Sequence, residues 1–457
     1  ILEIGRERRR ALGVSYLLFA AAVPILGGWL FDLSFSGSYR GLLLPRLVHW
    51  LAYPSSNLLS VSVQVVLLSY VPCATIVLLW CRRSTNSEGN GSGTGGHRNS
   101  DVEVADGGSD RTHLGARWAA SWACLLVLTI AADVCLFDAQ RKCLLQLVLA
   151  GEQRRWDDVL ENAQRLPPMS AYATDPRIVS EVNRALFYRG ELLHRMFAFP
   201  QRLKSPSLAL VFDALTDTAT LAPGQCSDIL YDLGRVNESE HMAFEALEVL
   251  GERPQLVKRL IHINVLKGET EVARKFLALL ENTLLHRRWA RDRRQQLDAD
   301  LTLGQLSDIV SRRSLMVTRD SLDDVANLEK MLIGLLEQNP QNRMAFEYLM
   351  AHYLLNRQLD EFVANIHRFD EPHYQRLPVH CEEALVVHSA VTQSEISEFV
   401  DSKVSSKTWR RFKNFVQTIE ELPKDASKTA IANALYADFG DSYFYCHHVG
   451  NNHSVEP

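Results

Sequence analysis

The apolar side chains between residues 233 and 280 recur with the three-to-four-residue period of an α-helix. One apolar face runs from Met242 to Leu250 and a second from Leu256 to Leu266, and Gly268 separates the second from a third. Helices of this length are marginally stable alone, so each must bury its apolar face against neighbours. The pattern therefore predicts short helices stacked in pairs, as in a helical solenoid.

Polar residues and prolines mark further helix boundaries within residues 141–457. Asp175 followed by Pro176 is typical of a helix start, with aspartate as the cap and proline in the first turn. Asn237 and Asn339 are predicted to open two more helices. No stretch alternates apolar and polar residues as a half-buried strand does, so we predict an all-α domain over residues 141–457.

Three apolar runs precede this domain, two of them within residues 1–83, and each is long enough to cross the roughly 30 Å hydrocarbon core of a bilayer. They cover residues 11–31, 57–81 and 117–140. The first run follows arginines, as a cleaved signal peptide would, but it is longer than a usual signal core and lacks a small-residue cleavage site. We therefore predict three retained transmembrane helices, with residues 38–56 as an interfacial segment.

The stretch of residues 84–116 is rich in glycine, serine, asparagine and aspartate and has few large apolar residues. Such a composition cannot bury a core, so we predict a disordered linker. Arginines are concentrated before the first predicted span and between the second and the third. Because positively charged loops stay in the cytoplasm, the helical domain is predicted to lie on the extracytoplasmic side.

Four stretches of the chain are distinctive in combination. They are WLAYPSSNLLSVSVQVVLLSYVPCATIVLLW, FEALEVLGERPQLVKRLIHINVLKGETEVARKFLALLENTLLHRRWA, NPQNRMAFEYLMAHYLLNRQLDEFVANIHRF and ALYADFGDSYFYC. Together they resemble a bacterial family of membrane proteins that is catalogued only as a domain of unknown function. The resemblance implies N-terminal transmembrane helices in the bacterial inner (cytoplasmic) membrane, followed by a tetratricopeptide-like helical repeat domain with no assigned activity. The helix pairs do not recur at the fixed period of about 34 residues of tetratricopeptide repeats, so the likeness is to their helix-pair architecture.

Histidines and acids near residue 380 are residue types that bind transition metals. His380, Glu383 and His388 are the candidate ligands, because His380 and Glu383 share one face if this segment is helical. Their spacing matches no established metal motif, and His388 lies about two turns from His380. We therefore favour a partly buried helix surface over a metal site, and we predict no cofactor. The same interpretation applies to Cys446 and the histidines after it, which we place in a fraying C-terminal tail.

A basic cluster with one aromatic residue follows the predicted stacked helices. Its members are Arg287, Arg288, Trp289, Arg291 and Arg294. Such a surface can bind an acidic partner protein or anionic lipid headgroups. The competing interpretation is a solvated helix face whose arginines pair with acids on neighbouring helices, such as Glu269 and Glu271. Each exposed pair would then contribute only about 0 to 1 kcal/mol.

The formal net charge of -5 is small, so no global field favours nucleic acid as a partner. The chain has neither a glycine-rich phosphate loop nor a GxSxG motif. We predict a membrane-anchored helical-repeat scaffold or adaptor that contacts the lipid bilayer and another protein or peptide, with no catalysis of its own. The alternative is an enzyme, or an accessory subunit of a membrane enzyme, that acts on cell-envelope material. Its candidate site would be the group from His380 to His388.

Overall fold

The computed structural model describes the C-terminal part of the chain, whose residues belong to one compact unit. The described residues are 139–450 without 169, 171, 202–207, 209–222, 301–302, 304–305, 318–326, 371–373, 375, 393–401 and 424–425. The predicted interfacial segment, linker and spans lie outside them, apart from the last two positions of the third span. Within this part, no helix combines the length and the apolar character that crossing a membrane requires.

The described part of the chain is built from α-helices and connecting turns and contains no β-strand, so the predicted all-α class is confirmed there. The helices are α1 (Ala139–Glu152), α2 (Trp156–Gln164), α3 (Pro176–Arg189), α4 (Leu192–Arg195), α5 (Pro223–Leu233), α6 (Val236–Leu250), α7 (Pro254–Lys267), α8 (Thr270–Glu281), α9 (Arg287–Ala299), α10 (Ser307–Arg313), α11 (Leu328–Gln338), α12 (Arg343–Asn356), α13 (Leu359–Asn365), α14 (Val379–Thr392), α15 (Ser406–Glu421), α16 (Lys428–Phe439) and α17 (Tyr443–Val449). Two short 3-10 turns, Met196–Ala198 and Ile366–Asp370, follow α4 and α13.

Helices α5 to α9 form a stack of neighbours that follow one another in the chain. α5 packs against α6, α7 against α8, and α8 against α9. Short turns join the partners within each pair, so they run antiparallel. The pairs also contact each other, because α5 touches α7 and the Phe244 ring of α6 lies 6.4 Å from the Phe276 ring of α8. Alternate helices are therefore neighbours in space as well.

Two glycines allow the tight turns of this stack. Gly268 ends α7 in the left-handed conformation, at φ 80°, and donates its N–H to the carbonyls of Asn264 and Val265. Gly234, between α5 and α6, has φ 92°. A Cβ at Gly234 would lie 2.1 Å from the carbonyl oxygen of Leu315, so a side chain there would have to displace that backbone.

The predicted helices exist, but some of them begin at other residues. Asp175 caps α3 as predicted, and its side chain accepts a hydrogen bond of 2.9 Å from the backbone N–H two residues on. The prediction for Asn237 is wrong, since α6 begins at Val236. So is that for Asn339, which ends α11, while the side chain of Asn342 caps α12. Each predicted start lies less than one helical turn from the observed start. Several neighbouring polar residues can satisfy the same free N–H groups, so the sequence does not fix which of them is the cap.

Two hydrophobic cores hold the described part together. The larger core takes most of its residues from α1 to α5 and from α11 to α17, and the smaller one from α5 to α10. The apolar face predicted between Met242 and Leu250 is buried only in part. Met242 and Ala246 are buried, whereas Phe244 and Val249 are 44% and 67% exposed. The face is wider than the contact of α6 with α5 and α7, so its outer edge stays in solvent.

Candidate functional site

A cavity of about 380 Å³ opens between the end of α1 and the helices α5, α7 and α9. We call it the Trp289 pocket and define it by the six side chains that its chemistry depends on. They are Glu152, Asp228, Lys258, His262, Trp289 and Arg293. The three stacked helices α5, α7 and α9 each contribute to its wall, so the pocket is a product of the stacking.

Helical spacing explains how two of these helices present their side chains. Lys258 and His262 lie four residues apart on α7, and Trp289 and Arg293 lie four residues apart on α9. Residues at this spacing occupy the same face of a helix, one turn above each other. Because α7 and α9 turn these faces towards the same cavity, four polar or aromatic side chains converge there.

Two positively charged groups lie close to the indole of Trp289. The Lys258 ammonium nitrogen lies 4.8 Å from the ring centroid, and the Arg293 guanidinium carbon lies 5.4 Å from it. The His262 ring centroid is 6.2 Å away. Cations at these distances are attracted by the electron-rich face of the indole. The aromatic ring thus holds two cations together that would otherwise repel each other.

The positive charge of Lys258 has no counterion in this part of the structure. Among the described residues, no carboxylate lies within ion-pair distance of the Lys258 ammonium group. Burial and the nearby charge of Arg293 lower the pKa of Lys258. Burial and the charge of Lys258 likewise lower the pKa of His286, the residue before α9. A bound anion would relieve this repulsion, so the pocket is suited to an acidic ligand.

The pocket wall formed by α1 and α5 carries two acids, Glu152 and Asp228. Burial and the neighbouring carboxylate of Asp228 together raise the pKa of the Glu152 carboxyl to about 7, against the opposing charge of Arg253. Asp228 itself accepts a hydrogen bond of 2.8 Å from Arg259 Nε. Near neutral pH the protonation of Glu152 therefore sets how negative this wall is.

A buried network of charges lies behind this wall. Asp232 is fully buried and lies 2.6 Å from Arg184 Nε, 3.2 Å from Arg312 and 3.4 Å from Arg154. Burial alone would raise the pKa of Asp232, but the guanidinium charges outweigh it and hold that pKa well below its usual range. The network links α5 to α3 and α10, so it fixes the position of the helix that carries Asp228.

The predicted basic cluster is divided between two sides of α9. Trp289 lies in the pocket, while Arg288 and Arg291 are exposed to solvent. Arg294 forms an ion pair of 2.6 Å with Glu281 on α8, and Arg287 Nε donates a 3.0 Å hydrogen bond to the Glu281 carbonyl.

The acids named as partners of this cluster pair elsewhere. Glu269 lies 3.5 Å from Lys267, and Glu271 pairs with Arg274. Both partners lie within a few residues of the acid in the chain, and short-range pairing of this kind leaves Glu281 as the acid that faces α9. The expectation for Glu269 and Glu271 is therefore corrected.

The structure brings two of the three candidate metal ligands together and places the third elsewhere. His380 Nδ1 lies 3.0 Å from Glu383 Oε2, and both side chains are buried in α14. The same Glu383 oxygen accepts a 2.7 Å hydrogen bond from the Tyr443 N–H at the start of α17. His388 instead lies 3.1 Å from Asp360 on α13. No group of three or more potential ligand side chains that could hold a metal occurs in the described residues.

The prediction of a fraying tail is wrong for the segment around Cys446, which is helical as far as Val449. Tyr443 to Cys446 are buried in α17, and the Ser442 side chain caps this helix by accepting a hydrogen bond from the Tyr445 N–H at 3.2 Å. Burial lowers the pKa of His448 and, with the charge of Arg357, that of His447. Large aromatic side chains give this short helix the core contacts that a polar tail would lack.

One family model matches residues 1–450 of the chain, and it describes a family of unknown function, DUF6057. The chain belongs to the DUF6057 family. This confirms the predicted membership of a family catalogued as a domain of unknown function. No curated protein and no solved structure matches the chain.

In this DUF6057 protein, the sequence singled out Trp289 among the six pocket residues but not Glu152 or Asp228. It also did not single out Lys258, His262 or Arg293. A signal for them exists in the four-residue spacing of Lys258 to His262 and of Trp289 to Arg293. Each spacing places a cation and a ring on one helix face. Such pairs are common on solvated helices. Only the convergence of these two pairs in one pocket distinguishes them from pairs on a solvated surface.

Proposed function

We propose that this chain is a membrane-anchored helical-repeat adaptor that captures an acidic segment of a partner protein in the Trp289 pocket. In this proposal its N-terminal apolar runs span a bacterial inner membrane. Its tetratricopeptide-like helical domain stands on the extracytoplasmic side and has no catalysis of its own.

The observation that carries the proposal is the convergence of Lys258 and Arg293 on Trp289 without a carboxylate at Lys258 among the described residues. An acidic side chain of a partner would supply the missing negative charge, and the indole would add apolar contact area. Charged groups that face a partner in this way favour partner choice and fast association.

The stacked helices support the adaptor role. Three alternate helices, α5, α7 and α9, contribute to a single pocket. Repeat proteins build binding surfaces in the same way, from equivalent positions of successive units. The antiparallel pairing of α5 with α6 and of α7 with α8 favours a tetratricopeptide-like arrangement within this class.

Membrane anchoring is supported by the length and composition of the apolar runs at residues 11–31, 57–81 and 117–140. The last two positions of the third run, residues 139 and 140, belong to α1. The repeat domain would therefore start at the membrane surface.

The test is crosslinking of the intact protein in native membranes, followed by purification and identification of the crosslinked partner and peptides. With the Lys258→Glu, Arg293→Glu double variant we expect capture to fall roughly tenfold or more, because two attractive contacts become repulsive. The Arg288→Glu, Arg291→Glu double variant changes the net charge by the same amount, but at two positions of α9 outside the pocket. It should capture the partner as the wild type does.

The two variants together separate the possible contact surfaces. Loss of capture only in the Arg288 and Arg291 variant would move the contact to the exposed side of α9 and contradict the pocket. Crosslinks between an acidic segment of the partner and α7 or α9, lost in the pocket variant, would support the proposal. The absence of any partner would overturn the adaptor role and favour an activity contained in the chain itself.

A further inference from the structure

The turn between α8 and α9 exposes two large apolar side chains. Leu284 and Leu285 are 64% and 61% exposed, and Leu279, in the last turn of α8, is 38% exposed. Single exposed leucines are ordinary on protein surfaces. Two adjacent leucines at the tip of a turn form instead a small apolar projection that none of the described helices covers.

Three arginines follow this projection closely in the chain. The Arg287 guanidinium folds back over the end of α8, where its Nε donates a 3.0 Å hydrogen bond to the Glu281 carbonyl. Arg288 and Arg291 follow on the first turns of α9 and are exposed. The Glu281 carboxylate is already paired with Arg294, so it does not neutralise these three cations.

We propose that this turn is a contact site for the anionic phospholipid headgroups of a bilayer. Leu284 and Leu285 enter the boundary between headgroups and acyl chains, and Arg287, Arg288 and Arg291 bind phosphate oxygens. Apolar side chains next to arginines are typical of segments that lie in the membrane interface. The planar guanidinium group can donate two parallel hydrogen bonds to one phosphate.

The size of the surface favours a bilayer over a second protein. A stable protein interface involves about 20 to 30 residues on each side. The projection offers two leucines and three arginines, which is too small for such an interface. It is sufficient for a bilayer if the domain is already held at the membrane, because tethering raises the effective concentration of the headgroups. This step rests on the membrane anchoring in the proposed function, since the third apolar run and α1 share residues 139 and 140.

The lipid contact and the Trp289 pocket lie on different sides of α9. Each residue advances about 100° around a helix axis, so Arg291 lies about 160° and Arg288 about 100° from Trp289. Neither arginine lines the pocket. The exposed arginines can therefore be changed without altering the pocket. This allows the two proposals to fail separately.

The experiment places a photoreactive benzophenone side chain at position 284 of the full-length protein in nanodiscs. The nanodiscs contain phosphatidylcholine alone or an equal mixture of phosphatidylcholine and phosphatidylglycerol. After illumination, mass spectrometry measures the lipid adduct on the peptide that contains position 284. We expect the adduct to be roughly tenfold more abundant with phosphatidylglycerol, and to lose most of this gain in the Arg288→Glu, Arg291→Glu variant.

A second position serves as the matched control. Val391, near the end of α14, is 63% exposed and so resembles Leu284 in exposure, but no arginine cluster adjoins it in the chain. Equal lipid adducts at positions 284 and 391 would overturn the proposal. So would an adduct at position 284 that joins another protein or a second copy of this chain, or no adduct in protein that remains in the nanodisc.

Failure of the anchoring has a different signature. Carbonate extraction of native membranes would then release the wild-type chain into the soluble fraction, which would overturn the anchoring and, with it, the lipid contact. The adaptor pocket is assayed separately by partner capture, which we expect the Arg288→Glu, Arg291→Glu variant to retain.

Discussion

Three effects act on the ammonium group of Lys258. Burial removes part of its water, the charge of Arg293 repels it, and the Trp289 indole attracts it. A cation–π contact contributes about 0.5 to 2 kcal/mol. Burial and the charge of Arg293 lower the pKa of Lys258, so both disfavour its charged form. A ligand carboxylate beside the ammonium group would favour the charged form of Lys258. The surroundings of Lys258 therefore support an acidic partner.

Glu152 gives a pH-dependent prediction at the same scale. Its folded pKa is raised from 4.5 to about 7, so the folded protein binds this proton more tightly than the unfolded chain does. The stability of the wild type should fall as pH rises from about 4.5 to 7 and stay at the lower value above. Glu152→Gln removes the ionisation, so relative to the wild type the variant should gain up to roughly 3 kcal/mol between pH 4.5 and 8.

Thermal unfolding of the detergent-solubilised protein, followed at several pH values, measures this difference. Glu248→Gln is the control, because Glu248 is exposed on α6 outside the Trp289 pocket and its substitution should change the stability little. A Glu152→Gln profile parallel to that of the wild type would show that Glu152 does not titrate near neutral pH.

At the scale of the elements, the turns between paired helices depend on glycine for two different reasons. At Gly268 only the left-handed backbone favours glycine, since a Cβ there would meet no described atom within 4 Å beyond its chain neighbours. At Gly234 the left-handed backbone is combined with the close approach of the Leu315 carbonyl. The α5–α6 turn is therefore held by the segment that follows α10, as well as by its own geometry.

Substitution by alanine should distinguish the two turns. Gly268→Ala is expected to cost about 1 to 2 kcal/mol, the penalty of a left-handed conformation for a residue with a Cβ. Gly234→Ala should cost more, roughly 3 to 5 kcal/mol, because the new methyl group also displaces the Leu315 backbone. Unfolding midpoints of the two variants test this order. Equal losses of stability in the two variants would mean that the Leu315 backbone moves aside without an energetic cost.

At the scale of the whole molecule, Asp232 connects segments that are far apart in the chain. Its carboxylate is shared by Arg154, Arg184 and Arg312. Removing the central charge of such a network leaves buried cations uncompensated. The Asp232 carboxylate thus joins α3, α5 and α10, while Arg184 also lies 3.4 Å from Glu181 and 3.7 Å from Asp228.

The variant Asp232→Asn tests this dependence. It keeps the shape of the side chain but removes its charge, and we expect a loss of about 3 to 5 kcal/mol. Asp157→Asn is the matched control, since Asp157 is 77% exposed and its 3.2 Å pair with Arg189 should contribute at most about 1 kcal/mol. Because the pKa of Asp232 is held low, its contribution should be present above the usual aspartate range and be lost as pH falls below it. Similar effects of the two variants would contradict a structural role for the network.

Much of the helical architecture could be predicted from local sequence. The apolar period gave α6, α7 and α8, and Asp175 and Gly268 marked a start and an end that the structure confirms. The candidate site was predicted only through Trp289. Its partners Lys258 and His262 lie on another helix, about 30 residues away in the chain, and no periodic pattern links them.

The sequence by itself determined the helices, because hydrophobic period, caps and turn glycines act over a few residues. It also determined membership of the DUF6057 family, because that depends on the residues alone. Only the tertiary structure decided which charges meet. It brought Lys258 to Trp289, Arg294 to Glu281 and Asp232 among three arginines. These contacts depend on how helices stack, and side chains distant in the chain become neighbours only when the apolar faces are buried together.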